Sequence, residues 1–89
     1  MTTYLLEAYA TKLDELRIRD LTAGARAAAQ AMTRIGAPVR YVGSIFVPED
    51  ETCFHLLEAP SADVIRRAGG RASFAFERIV EVIESRGAG

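Results

Sequence analysis

The stretch Val39–Ala59, VRYVGSIFVPEDETCFHLLEA, reads as two strands joined by a short acidic turn. On its N-terminal side Val39, Tyr41, Ile45 and Val47 alternate with Arg40, Val42, Ser44 and Phe46. On its C-terminal side Thr52, Phe54, Leu56 and Glu58 alternate with Cys53, His55, Leu57 and Ala59. Alternation with β-branched and aromatic enrichment is the mark of a strand. Pro48 has no N–H to give and closes the first strand, leaving Pro48-Glu49-Asp50-Glu51 as the turn. Pairing Val47 with Thr52 sets Ser44 opposite His55 and Tyr41 opposite Glu58. Both faces of this hairpin carry apolar residues, whereas a sheet with one wet face alternates more cleanly. One face is therefore expected under the chain's own helices and the other under a second subunit.

Outward from the hairpin, Thr3–Tyr9 predicts a first strand, with Tyr4, Leu6 and Ala8 on one side and Thr3, Leu5, Glu7 and Tyr9 on the other. Residues 10–20 blur any period and read as a loop entering a helical turn, with Asp20 or Thr22 able to cap the helix after it. The alanine-rich run Leu21–Ile35 predicts a helix whose inward stripe is Ala25, Ala28, Ala29, Met32 and Ile35. Gly36 and Pro38 stop it. After Pro60, Ser61 caps a second helix with Ala62, Ile65 and Ala68 inward and Arg66, Arg67 and Arg71 in water; Gly69-Gly70 ends or weakens it. Phe76–Ile83 predicts an edge strand, its charges discouraging stray pairing. Residues 84–89 read as a frayed tail.

The order β-α-β-β-α-β is the ferredoxin-like α+β arrangement, an antiparallel sheet with two helices on one face. Apolar residues on both faces extend this to a homodimer joined face to face, a dimeric α+β barrel. At 89 residues the chain makes one domain, and a chain this short leaves much of its surface exposed. The net charge is −1 with the 11 basic residues scattered, which disfavours nucleic-acid binding. No run approaches the length of a membrane span, and no signal-like start is visible. One cysteine, Cys53, allows no intrachain disulfide and fits a reducing, cytoplasmic setting.

Several pieces, Gly43-Ser44, Pro48-Glu49-Asp50-Glu51, Glu58-Ala59-Pro60-Ser61 and Glu77-Arg78-Ile79-Val80, give residues 40–84 a resemblance to a family of small bacterial ferredoxin-like proteins of unknown function. One branch of that family is described as nickel-responsive or nickel-binding. The resemblance implies the ferredoxin-like dimer, and nickel or another divalent metal as the cofactor to consider. Nickel-binding relatives supply several histidines; this chain has one. Its candidate metal ligands are His55 and Cys53, two apart on one strand, with the same pair from a symmetric subunit completing a four-ligand site.

His55 is the one side chain that titrates near neutrality unperturbed, with Ser44 across the hairpin. Glu7 and Glu58 interrupt apolar strands at the sheet centre, where a carboxylate must reach water, pair with an arginine such as Arg40, or hold a proton. The leading reading is a homodimeric small-ligand-binding protein, with Tyr9, Tyr41, Ser44, His55 and Glu58 as ligand contacts. The alternative is a cofactor-independent enzyme with His55 or Glu7 as base, an oxygenase, cyclase or isomerase of a small aromatic or polyketide-like substrate; that rests on analogy between folds. A third reading, an interaction module, would use Arg66, Arg67 and Arg71. No Gly-rich phosphate loop is present.

Overall fold

The computed structural model describes residues 1–85. The elements are β1 (Thr2–Tyr9), α1 (Glu15–Arg34), β2 (Arg40–Val47), a 3-10 turn (Pro48–Asp50), β3 (Thr52–Ala59), α2 (Ala62–Arg71) and β4 (Arg78–Val82). The strands form one antiparallel sheet in the order β2-β3-β1-β4, and both helices pack on the same face. This is the expected ferredoxin-like α+β fold. The expectation for residues 84–89 falls largely outside the described residues.

The largest departure is at the start of α1. The helix begins at Glu15, six residues before the expected Leu21, and Asp14 is its N-cap, its carboxylate accepting from the Arg17 N–H at 2.9 Å. Neither Asp20 nor Thr22 caps anything; both lie within the helix. The added turns show only Ile18 and Leu21 half-buried, while Leu16 is exposed. So thin an apolar stripe hides the helical period, and local capping together with the Glu15–Arg19 spacing carries those turns. At the other end Gly36 takes φ +97° and Ala37 N–H bonds back to the Met32 carbonyl at 3.0 Å. That left-handed stop is the one glycine favours. Thr33 then ties α1 to the start of β2, donating from Oγ1 to the Val39 carbonyl at 2.9 Å and accepting from its N–H at 3.2 Å.

Helix α2 is capped as expected, Ser61 Oγ accepting from Val64 N–H at 3.3 Å. It runs through Gly69-Gly70 to Arg71 because Gly69 is buried, and Phe74 N–H bonds the Gly69 carbonyl at 2.8 Å. Ser73, at φ +56°, turns the chain so that Phe74 and Phe76 fold back onto the core. β4 is shorter than expected, since Phe76 packs on the core instead of pairing.

The core lies between the sheet and the helices. Leu6 and Leu57 from the sheet, Met32 from α1 and Ile65 from α2 are fully buried, each side chain contributing about 1.5–3 kcal/mol by leaving water. Among the described residues, none forms a layer over the opposite face. Its central row reads Gly43, Leu56, Leu5, Val80 across the four strands, flanked by Ile45, Phe54, Glu7, Arg78 and by Arg40, Glu58, Thr3, Val82.

Candidate functional site

The site is created by an irregularity in β2. Ladder pairing runs Arg40↔Glu58, Tyr41↔Leu57, Gly43↔Leu56, Ser44↔His55, so Val42 is an extra residue at a bulge. The Ser44↔His55 and Val47↔Thr52 pairs are as expected. Tyr41 is not opposite Glu58, as simple alternation requires, because the bulge shifts the register by one. Residues three apart in a regular strand face opposite ways, yet here Tyr41 and Ser44 share the helix-covered face. Their hydroxyls meet at 2.6 Å, and Ser44 Oγ lies 2.6 Å from His55 Nδ1. On the same face, two residues back along β3, Cys53 Sγ is 3.8 Å from His55 Nε2.

His55 is buried, with the Phe74 ring 5.8 Å away and Phe46 edge-on at 6.3 Å. Loss of water pushes its pKa below the ordinary value, so the ring is neutral at neutral pH. Burial likewise pushes the Cys53 thiol up, against a smaller opposing pull from Arg17, and keeps it protonated. No imidazolium–thiolate pair forms. Two proton arrangements satisfy the chain. Either Tyr41 donates to Ser44 and Ser44 to Nδ1, leaving the ring proton on Nε2, or both donations reverse and the ring proton sits on Nδ1. In both, Nδ1 is engaged and Nε2 remains beside the sulfur.

Above this floor lies a cavity of about 370 Å³ bounded by Ala8, Cys53 and His55 below, by Asp20, Leu21, Gly24, Ala25 and Ala28 of α1, and by Ala72–Ala75 after α2. It exists because α1 presents glycine and alanine there: the space a Gly24 side chain would enter is empty. Asp20, Gly24, Ser73 and Ala75 at its rim are exposed, so the cavity opens to solvent between α1 and the Ser73 turn. Its volume falls in the range of small-molecule pockets.

The sequence candidates therefore divide. Tyr41, Ser44, His55 and Cys53 come together on the covered face. Glu7 and Glu58 stand on the bare face, so the sheet separates Glu7 from His55. Glu58 accepts from Arg40 Nε at 2.6 Å, and this bond chiefly holds its carboxyl below the usual range. Tyr9, exposed at the end of β1, is among the residues around the cavity. Arg66, Arg67 and Arg71 are exposed on α2, with Arg66 3.3 Å from Asp63. Sequence reasoning missed Gly24, Ser73 and Phe74 as cavity walls, and missed the Tyr41–Ser44 contact. A glycine in mid-strand, Gly43, was the available signal for the bulge.

A four-stranded antiparallel sheet with two helices on one face, a cavity between them and a buried polar chain beneath it defines a ferredoxin-like α+β protein. The chain belongs to the nickel-responsive protein SCO4226-like family, whose model matches residues 10–82. It is similar in fold to the crystal structure of SCO4226 from Streptomyces coelicolor A3(2), with a TM-score of 0.70 and 19% identity over 94% of this chain and 99% of that chain. No curated protein matches it significantly.

The family's description raises nickel, which takes several nitrogen, sulfur or oxygen donors converging on one point. Among the described residues no group of three or more His, Cys, Asp or Glu side chains is so placed. His55 and Cys53 are two donors, the second held as a thiol, and both face the helices, away from the bare face. These residues do not fit a nickel centre built by one chain. Among the described residues no helix is long and apolar enough to cross a membrane.

Proposed function

We propose that this chain is a small-ligand-binding protein that works as a homodimer. The ligand is an organic molecule, apolar or aromatic with one hydrogen-bonding group, held in the cavity over His55. The observation that carries this reading is the cavity itself: mostly apolar walls enclosing the edge of a neutral imidazole whose other nitrogen is anchored by Ser44. Such a ring offers a ligand one directional hydrogen bond at Nε2 without the cost of burying a charge. The second subunit meets the bare sheet face. That face is broad, in a molecule of 36 × 35 × 19 Å, and its two arginines and two glutamates balance in charge. The nickel association of the family is not carried here by His55 and Cys53.

The same imidazole supports a second reading, a cofactor-independent enzyme. A neutral histidine with Nδ1 anchored and Nε2 near a cavity is arranged as a general base is. Glu7 has no part in that reading.

Native mass spectrometry of protein purified from its own host without chelator tests the proposal. A dimer carrying an organic mass that is lost in His55→Ala is the expected result. A dimer carrying stoichiometric nickel would overturn the organic reading. Slow turnover of the organic mass by wild type but not by His55→Ala would favour the enzyme.

A further inference from the structure

A groove of about 600 Å³ runs along the free edge of β2 beside the C-terminal half of α1. It is separate from the cavity over His55. Arg26, Gln30 and Arg34, four residues apart and so on one stripe of α1, form one wall; Arg40 at the start of β2 is also among its lining residues. The floor is Ala29, Val39, Tyr41 and Val42, and among the described residues no carboxylate lines the groove. Arg40 is engaged by Glu58, but Arg26 and Arg34 make no ion pair among the described residues. The Arg26 guanidinium sits over the Tyr41 ring, 5.5 Å from its centroid. Stacking of this kind orders an arginine while leaving its N–H edge free to bond. The whole chain carries −1, so this concentration of positive charge is local to the groove and not a general property of the surface.

We infer that the groove binds a small planar organic carboxylate, an aryl or heteroaryl acid. Its carboxylate bonds to the free N–H edge of Arg26 within the field of Arg34, and its ring lies on Val42 beside the Arg26–Tyr41 stack. Guanidinium groups take carboxylates through paired charge-assisted hydrogen bonds, which fixes the anionic end. The volume and the apolar floor fix the other end, since a lone inorganic anion would leave both unused. Three arginines, one already paired, are too few for a nucleic-acid track. The groove also touches the first site: the Tyr41 ring is its floor, and the Tyr41 hydroxyl begins the hydrogen-bonded chain that ends at His55. An acid bound beside that ring, through the guanidinium stacked on it, is therefore sensed at the imidazole, two hydrogen bonds away.

The test is an NMR titration of the full-length, isotope-labelled protein with benzoate, then with acetate and with inorganic phosphate, at constant ionic strength. Benzoate is expected to give saturable shifts at Gln30, Arg34, Tyr41 and Val42 and a smaller one at the His55 ring. Acetate and phosphate are expected to bind about tenfold more weakly or worse. Arg34→Ala and Arg26→Ala, both at exposed helix positions, should each weaken benzoate by about tenfold while far-UV circular dichroism stays unchanged, the loss of a charged hydrogen bond. Equal binding of phosphate and benzoate would overturn the organic part of the inference. Shifts centred on Gly24 and Ser73 would place the acid in the cavity and overturn the groove. Shifts that spread to Arg66, Arg67 and Arg71 and never saturate would reduce it to diffuse attraction by a basic surface.

Discussion

The two faces of the sheet are made from the same four strands, residue by residue in alternation, yet they solve opposite problems. The covered face carries Leu6 and Leu57 in full burial beside Tyr41 and Ser44 and beside His55 and Cys53, which burial keeps uncharged at neutral pH. The bare face carries Leu5, Phe54, Leu56 and Val80 half-exposed and displays ions, Arg40 with Glu58 and Glu7 in register with Arg78. Under the helices a polar group must find its partner within the chain, and a neutral hydrogen-bonded chain does so without a desolvated charge. On the open face water screens charges and little is lost by displaying them. The covered face is the one that can tune a polar group, and the bare face is the one we propose for association.

Leu56 and Leu57 are neighbours in sequence and sit on opposite faces, so they split the comparison cleanly. Leu57→Ala is expected to cost about 2–5 kcal/mol in urea unfolding, because it empties a fully buried position. Leu56→Ala should cost clearly less in dilute protein and approach Leu57→Ala only at concentrations where the second copy covers it. Equal costs at all concentrations would mean that the faces are not energetically distinct. Leu56→Lys goes further: it should yield a folded monomer in sedimentation at micromolar concentration, where wild type is expected to sediment as a dimer. A monomeric wild type would leave the bare face without its proposed partner.

Most of this division could be read from the residues alone. The hairpin from residue 39 to 59, the face of β1, the Ser61 cap and the Gly36 stop all have short-range causes in turn, cap and alternation chemistry. The first turns of α1 were illegible because Ile18 and Leu21 are only half-buried, so no apolar period betrays a helix that capping nevertheless starts at Asp14. The site was half legible. Ser44 opposite His55 follows from hairpin register. Tyr41 joins them only through the Val42 bulge, and counting by twos sends it to the other face. The cavity was out of reach, since it depends on where α1 and the Ser73 turn come to rest over β3.

Ser44 is the link that makes the covered face's solution work, and its removal should be felt in full. Ser44→Ala leaves both Tyr41 Oη and His55 Nδ1 without their shared partner, at an expected cost of about 1–3 kcal/mol in urea unfolding. Ser44→Thr, which keeps the hydroxyl, should recover part of it. A cost within error of zero would show that water replaces the serine and that the chain is not a closed one.

The smallest expected effect is on acid stability, and it comes from the sign of one shift. Burial lowers the folded pKa of His55 below its ordinary value of 6.5, which the unfolded chain keeps. Between those two values the unfolded state binds more protons than the folded state, so unfolding becomes more favourable as pH falls. Above 6.5 both states hold a neutral ring and the contribution is flat. Stability should therefore fall as pH drops from 6.5 towards the folded pKa and level off below it, a window set apart from the lower one in which Glu58 takes up its proton. Urea midpoints from about pH 8 to about pH 5 measure the slope. His55→Asn, polar and without a titration in this range, should flatten that slope while lowering stability throughout. The bare face offers an internal control, because Arg40→Gln should leave the slope unchanged. If the His55→Asn slope matched wild type, the imidazole would be taking up its proton in the folded state as readily as in water, and the covered face would be wetter than its burial implies.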